Sequence, residues 1–230
     1  MPRCRQTGKA VKKQSILHLR PTQFALGMAE VEEKVAELRV LGRKQRLKYV
    51  KQHPIEVIRA PHRELYVIDR HHRLMALALI GVKKVRVKVS KDFSALRMSR
   101  VRFWRFLSTR HMTHLYDQFG DGPRDPLYLP IDVRGLGDDP YRSLAWMAER
   151  AGAIRPSSVP YYEFKWAQLF RLHKLLSPDG RARLRRALPA AIRLCRSRSA
   201  QALPGARGTS KAKDGGRSSK SRRSSRKAHK

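Results

Sequence analysis

Cysteine is nearly missing from this chain. Cys4 and Cys195 stand near opposite ends of the expected folded part, and neither has a second Cys or a His at ligand spacing. A disulfide scaffold and a structural zinc site are therefore not expected. No run of about 18 apolar residues occurs, which excludes a spanning helix. The start, Met1 to Arg5, is basic, but the apolar stretch Ser15 to Leu19 that follows is far shorter than the roughly 7 to 15 residues of a signal-peptide core. A cytoplasmic protein is the expectation. Acidic residues are also scarce, and no internal repeat appears at solenoid periods.

What is abundant is positive charge. The 230 residues carry 52 Lys and Arg against 18 Asp and Glu, a formal charge of +34. Of the cations 34 are Arg, the side chain that forks onto phosphates in two-point contacts. A field of this sign raises association rates with polyanions, so nucleic acid, with DNA foremost, or a nucleotide is the expected partner. Residues 196–230 hold twelve cations and one acid, Asp214, among Ser, Gly and Ala. Such a segment has too little apolar surface to offset its ordering entropy and is expected to be a disordered basic tail. Taking its +11 away leaves +23 on the remainder, so the folded part is basic as well.

The expected organisation is a basic extension over 1–14, an α+β core over 15–92, a helical lobe over 93–195 and the tail. Ser15 to Leu19 reads as extended, and Glu30 to Lys51 as a helix with Val31, Val35 and Leu38 on one face. Ile55 to Arg59 and Leu65 to Ile68 flank Ala60-Pro61-His62-Arg63 as a hairpin. Asp69 stands where an N-cap belongs, ahead of a short helix with Leu74, Leu77 and Ala78 buried and Gly81 at its end. Val82, Val85, Val87 and Val89 form a further strand. Helices then follow over Ser94 to Met112, Pro140 to Ala153, Tyr161 to Leu176 and Gly180 to Cys195, the second entered through Asp139-Pro140.

One segment combines a strand end, a helix start and a polar cluster: Val67-Ile68-Asp69-Arg70-His71-His72-Arg73. Helix N-termini present free amides and a partial positive charge, so an anion is stabilised there before any side chain contributes. Arg70, Arg73 and the two imidazoles then suit phosphate, Arg73 through two-point charge-assisted hydrogen bonds. His71 and His72, as helix neighbours, point apart and do not form a two-histidine metal site. His111, His114 and Asp117 have metal-ligand spacing only if the preceding helix runs through them, and Gly120 to Pro123 follow too closely for that. Phe103, Trp104 and Phe106 among Arg100, Arg102 and Arg105 are expected to be core rather than a base-stacking surface.

Asp69-Arg70-His71-His72-Arg73-Leu74-Met75-Ala76-Leu77 with Ile80-Gly81-Val82 resembles the phosphate-binding signature of the ParB and sulfiredoxin superfamily. The wider set, Arg20-Pro21-Thr22-Gln23, Gly27, Glu30-Val31, Lys34, Asp139 to Leu144 and Glu163 to Trp166, is similar to the ParB-like nuclease family. The resemblance implies a ParB/sulfiredoxin-like mixed sheet with helices, and phosphate contacts from Arg70, His71, His72, Arg73, Arg20, Thr22, Gln23 and Arg142. It admits a nucleoside triphosphate with Mg2+ as cofactor. It also implies an enzymatic alternative, a metal-assisted nuclease or phosphotransferase: Asp69 would hold magnesium or orient a histidine, His71 or His72 would act as base, and Arg73 would stabilise developing charge. A non-catalytic protein-interaction module is the third reading. Two departures stand out. Arg70 replaces the usual glycine, and His71 takes the place of the nucleophilic cysteine that sulfiredoxin chemistry needs.

Overall fold

The computed structural model describes residues 5–6, 10–177 and 183–207. Its centre is a mixed sheet in the order β1-β7-β5-β6-β3, formed by β1 (Arg5–Gln6), β3 (Leu19–Arg20), β5 (Ile55–Arg59), β6 (Leu65–Val67) and β7 (Lys84–Asp92). A further strand, β2 (Ala10–Ser15), also pairs with β7. The expected hairpin is present, with Val57 opposite Val67 in an antiparallel ladder. Parallel pairing joins β5 to β7 and β3 to β6.

Period-2 alternation decides which side of the sheet each residue serves. Ile55, Val57 and Val67 join Val85 and Val87 on the face covered by α1 (Met28–Arg39) and α3 (His71–Leu79). Ile58 and Tyr66 face the other way, onto α4 (Arg100–Thr109). Phe103 and Trp104 are buried there, while Phe106 is partly covered by Arg110 and Lys91 at 5.2 and 6.0 Å from its ring. The aromatics of α4 are therefore core.

The third apolar cluster is the helical lobe, built from α5 (Pro140–Arg150), α6 (Tyr162–Leu172) and α7 (Leu184–Cys195). Asp139 caps α5 as expected, accepting the amides of Tyr141 and Arg142. The lobe is tied to the sheet unit by a short parallel ladder of β4 (Ala25–Leu26) with β8 (Gly137–Asp138). It also caps α1 from outside: Met28 N–H donates to Asp138 Oδ1 and Ala29 N–H to Ser143 Oγ. Gly27 permits this approach, since a Cβ there would fall 2.8 Å from the Ser143 nitrogen.

Four expectations are corrected. The single helix over Glu30 to Lys51 is two, α1 and α2 (Arg43–Gln52), because the chain turns extended at Gly42, which opens the second. The helix from Ser94 starts only at Arg100, where the Ser99 hydroxyl accepts the Arg102 amide, and stops at Thr109, so His111, His114 and Asp117 share no helix. The expected extension over 1–14 contributes β1 and β2, whose backbones satisfy the edge of the nine-residue β7. The expected disordered tail begins too early. Residues 196–207 pack on the lobe, with Ala200 buried, Pro204 O accepting Trp166 Nε1 at 2.8 Å and Gly205 O accepting the Arg155 amide. The rest of the tail lies outside the described residues.

This packing predicts that a chain ending at Cys195 is less stable than one ending at Arg207 by about 2 kcal/mol or more, from lost apolar burial and one lost buried hydrogen bond. Urea unfolding of the two chains checks this, and equal midpoints would show that residues 196–207 add nothing.

Candidate phosphate-binding hollow

The segment Ile68-Asp69-Arg70 leaves β6 and turns into α3. Arg70 makes that turn in the left-handed region, at φ 68° and ψ 33°. This is the physical reason a glycine suits the position, since a side chain there costs roughly 1–2 kcal/mol. Arg70, not Asp69, is the N-cap residue, and no side chain caps the helix. Asp69 instead accepts the Arg70 amide through Oδ1 and sits 3.3 Å from Arg70 Nε through Oδ2. The expected Asp69 cap is thereby corrected, and the first-turn amides of α3 receive no side-chain acceptor from this turn.

The two histidines point apart and both reach the loop between β3 and α1. His71 Nε2 accepts the Thr22 amide at 3.3 Å, and His72 Nε2 accepts the Gly27 amide at 3.1 Å. Burial pushes the His71 imidazole down to about 3, against the opposing hydrogen bond to the Val67 backbone. His72 is also held down to about 3, first by burial and then by the Arg142 charge. Both rings are neutral at physiological pH. At 3.6 Å from Glu30 Oε2, His72 Nε2 is beyond hydrogen-bonding reach and already engaged.

Arg142, 3% exposed, is the charge that faces them from the lobe. Its Nη2 donates to Glu30 Oε2 at 3.2 Å and to Glu163 Oε1 at 3.1 Å, and its Cζ lies 5.7 Å from the Phe164 ring centre. Its Nε and Nη1 are buried and have no hydrogen-bond partner among the described residues. Burial raises the Glu30 carboxyl, yet His72, Arg142 and Lys34 together bring it below the usual carboxylate range. With His72 neutral, Arg142 and Lys34 carry that effect near pH 7.

His71, His72 and Arg142 line a hollow of about 320 Å3. Gln23, Asp69, Arg70, His71, His72 and Arg142, all singled out by sequence, line it. Glu163 also lines it, and the two carboxylates, Asp69 and Glu163, are each engaged by one of the two guanidiniums. Three expected contacts are elsewhere. Arg73 lies over Tyr49, 5.9 Å from its ring centre, and turns away from the hollow because α3 carries it to the side facing α2. Arg20 is on β3, beside Glu64. Thr22 is fully buried, its hydroxyl donating to Val67 O, and supports the loop from behind. Sequence reasoning missed Met112, Pro160 and Tyr161 and considered His111 only for a metal set; these four residues also stand on the rim. The aromatic run Tyr161-Tyr162 after Pro160 was the signal available.

His111, His114 and Asp117, which have metal-ligand spacing in the sequence, are engaged separately in the fold. Asp117 closes its own turn, accepting the amides of Phe119 and Asp121 and pairing with Arg124 at 2.6 Å, while His114 stacks on Phe164 at 3.9 Å.

The family model described as "Putative ParB-like nuclease" matches residues 12–172. The structure is similar to the crystal structure of protein Atu1540 from Agrobacterium tumefaciens, with 32% sequence identity and a TM-score of 0.76 over 86% of this chain and 98% of that one. Among curated proteins none matches this sequence. No helix of the described residues is long and apolar enough to cross a membrane.

Two outcomes are expected from this geometry. Arg70→Gly should hold or raise stability by up to about 1 kcal/mol in urea unfolding, because relief of the left-handed backbone outweighs an exposed ion pair, whereas Arg70→Val should lower it. The second concerns pH. A folded pKa below the unfolded 6.5 means that the unfolded chain takes up protons that buried His71 and largely buried His72 refuse. Their contribution is complete above pH 6.5 and is lost as pH falls toward 3. Unfolding free energy should drop between pH 6.5 and 4.5, and His72→Gln should flatten that slope; an unchanged slope would show that the imidazole is not buried neutral.

Proposed function

The chain belongs to the ParB-like nuclease family, and from that membership we propose that it binds the phosphates of nucleic acid or nucleotides in the hollow at the mouth of α3. One observation carries this reading: Arg142, almost wholly buried, lines the hollow, and two of its guanidinium nitrogens, Nε and Nη1, are buried with no partner among the described residues. A buried donor left without a partner costs about 1–3 kcal/mol, more when charged. A phosphate oxygen meets that need, and the uncapped amides of α3 and the Arg70 guanidinium stand on the same rim. His71 and His72 act as positioning residues. Their Nε2 atoms hold the loop of residues 22–27 against the helix mouth, and their neutrality keeps them from repelling Arg142.

The net charge of +34 supports a second, sequence-independent contribution to nucleic-acid affinity. The family's tie to nucleic acid points the same way.

The enzymatic alternative assigns catalysis to Asp69 with His71 or His72. Asp69 favours it in one respect: its side chain is 59% exposed at the rim. A Mg2+ ion held mainly through phosphate and water oxygens fits such a lone carboxylate, since among the described residues no group of three or more His, Cys, Asp or Glu is placed to cage a metal. Magnesium bound there would neutralise phosphate charge. Against a histidine base stands the engagement of both Nε2 atoms by backbone amides.

Binding of inorganic pyrophosphate and of a short DNA duplex, followed by calorimetry, tests the proposal. Arg142→Lys, which keeps the charge but loses the fork, should weaken pyrophosphate about tenfold with the fold intact by circular dichroism. DNA affinity should fall with salt at a log-log slope of about −0.9 per phosphate neutralised. Unchanged pyrophosphate affinity in folded Arg142→Lys would overturn the assignment. In a plasmid assay with magnesium, cleavage by wild type that His72→Gln abolishes would favour the enzyme; equal nicking by both would indicate a contaminant.

A further inference from the structure

Beside the hollow lies a larger cavity of about 680 Å3, between the loop after α4 and the outer side of α6. The two share His111, Pro160, Tyr161 and Phe164 as common walls. On the far side of that partition the rings gather around His114: Phe164 stacks on it at 3.9 Å, Tyr116 lies at 5.3 Å and Tyr161 at 5.5 Å. Two polar groups present complementary hydrogen-bonding capacity at the cavity wall. Gln168 has its carbonyl taken by Arg171 Nη1 at 2.9 Å, which leaves its amide hydrogens to donate. Thr113 donates its hydroxyl hydrogen to Thr22 O, which leaves its oxygen lone pairs to accept.

Volumes of about 300–1,000 Å3 with apolar walls and a few fixed polar groups are those of small-molecule sites. Aromatic walls favour a planar ring, on which stacking is worth roughly 1–3 kcal/mol. A ring site sharing walls with an anion site matches one ligand chemistry, a heteroaromatic ring joined to phosphate through a short spacer. We propose that this cavity is a nucleobase subsite, so that a nucleoside phosphate binds with its phosphates at Arg142 and the mouth of α3 and its base against the His114, Tyr116 and Tyr161 rings, with Gln168 and Thr113 contacting the base edge. The proposal rests on the phosphate reading above for the orientation of the ligand. The nucleoside phosphate is either a free nucleotide or a nucleotide unit unstacked from a strand.

The test uses the full chain and four kinds of probe: pyrophosphate, the common ribonucleoside diphosphates, and a short single-stranded DNA with or without one abasic nucleotide. At least one nucleoside diphosphate, or the intact strand over its abasic form, should bind about tenfold or more tightly than its base-free counterpart. Tyr116→Ala and Gln168→Ala, both at partly or fully exposed positions outside the smaller hollow, should erase that advantage and leave pyrophosphate affinity unchanged. An advantage seen only with free nucleotides, or only with the strand, identifies the source and supports the subsite. Pyrophosphate binding with no base advantage from either source overturns the subsite and leaves the phosphate reading standing. A base advantage lost in both variants without pyrophosphate binding supports the subsite and overturns the phosphate reading. An advantage that survives both substitutions overturns the placement of the base.

Discussion

Two imidazole nitrogens accepting two backbone amides hold the functional end of this molecule together. His71 takes the Thr22 amide and His72 the Gly27 amide, so one helix start fixes both ends of the loop that crosses it. The loop then does the rest. Thr22 O accepts the His114 amide and the Thr113 hydroxyl, Gly27 lets Ser143 approach, and the two residues after it cap α1 with groups from the lobe. Each contact requires its histidine to be neutral, because an imidazolium has no lone pair to offer an amide. Burial supplies that neutrality.

Arg142 is the opposite case, a charge kept buried by partners from both units. Glu30 comes from the α1 side and Glu163 from the lobe, so the guanidinium is a clamp as well as a candidate ligand group. A buried ion pair is weak evidence of net stability, because desolvation offsets most of the Coulomb gain. Its incomplete satisfaction is more informative. Two nitrogens of the clamp have no partner among the described residues, and the residue that carries them lines the hollow beside the uncapped helix mouth.

Much of the fold was legible because its signals are local. The hairpin of β5 and β6, the α3 stripe of Leu74 and Leu77, the Asp139-Pro140 entry and the aromatics of α4 all follow from period, turn chemistry or capping within a few residues. The errors came where a local break hides inside a periodic pattern, or where a neighbour distant in sequence decides. The break at Gly42 and the late start of α4 fall inside patterns that local periodicity reads as continuous helix. Residues 196–207 look too polar to order by themselves, yet the buried indole of Trp166 needs an acceptor and finds it at Pro204.

For the site, the string Asp69 to Arg73 by itself determined where a helix mouth meets cationic and imidazole groups, since strand end, turn and helix start are adjacent in the chain. Which of those side chains face the hollow was decided by the tertiary structure. A helix turns its residues by about 100° each, so Arg73 went to Tyr49 while Arg70 stayed on the rim. Arg142, His114 and Tyr161 reach the same place from far along the chain. Only the packing of the lobe on the sheet unit gives them a common wall, because burial and distance are properties of the folded surface rather than of residue order.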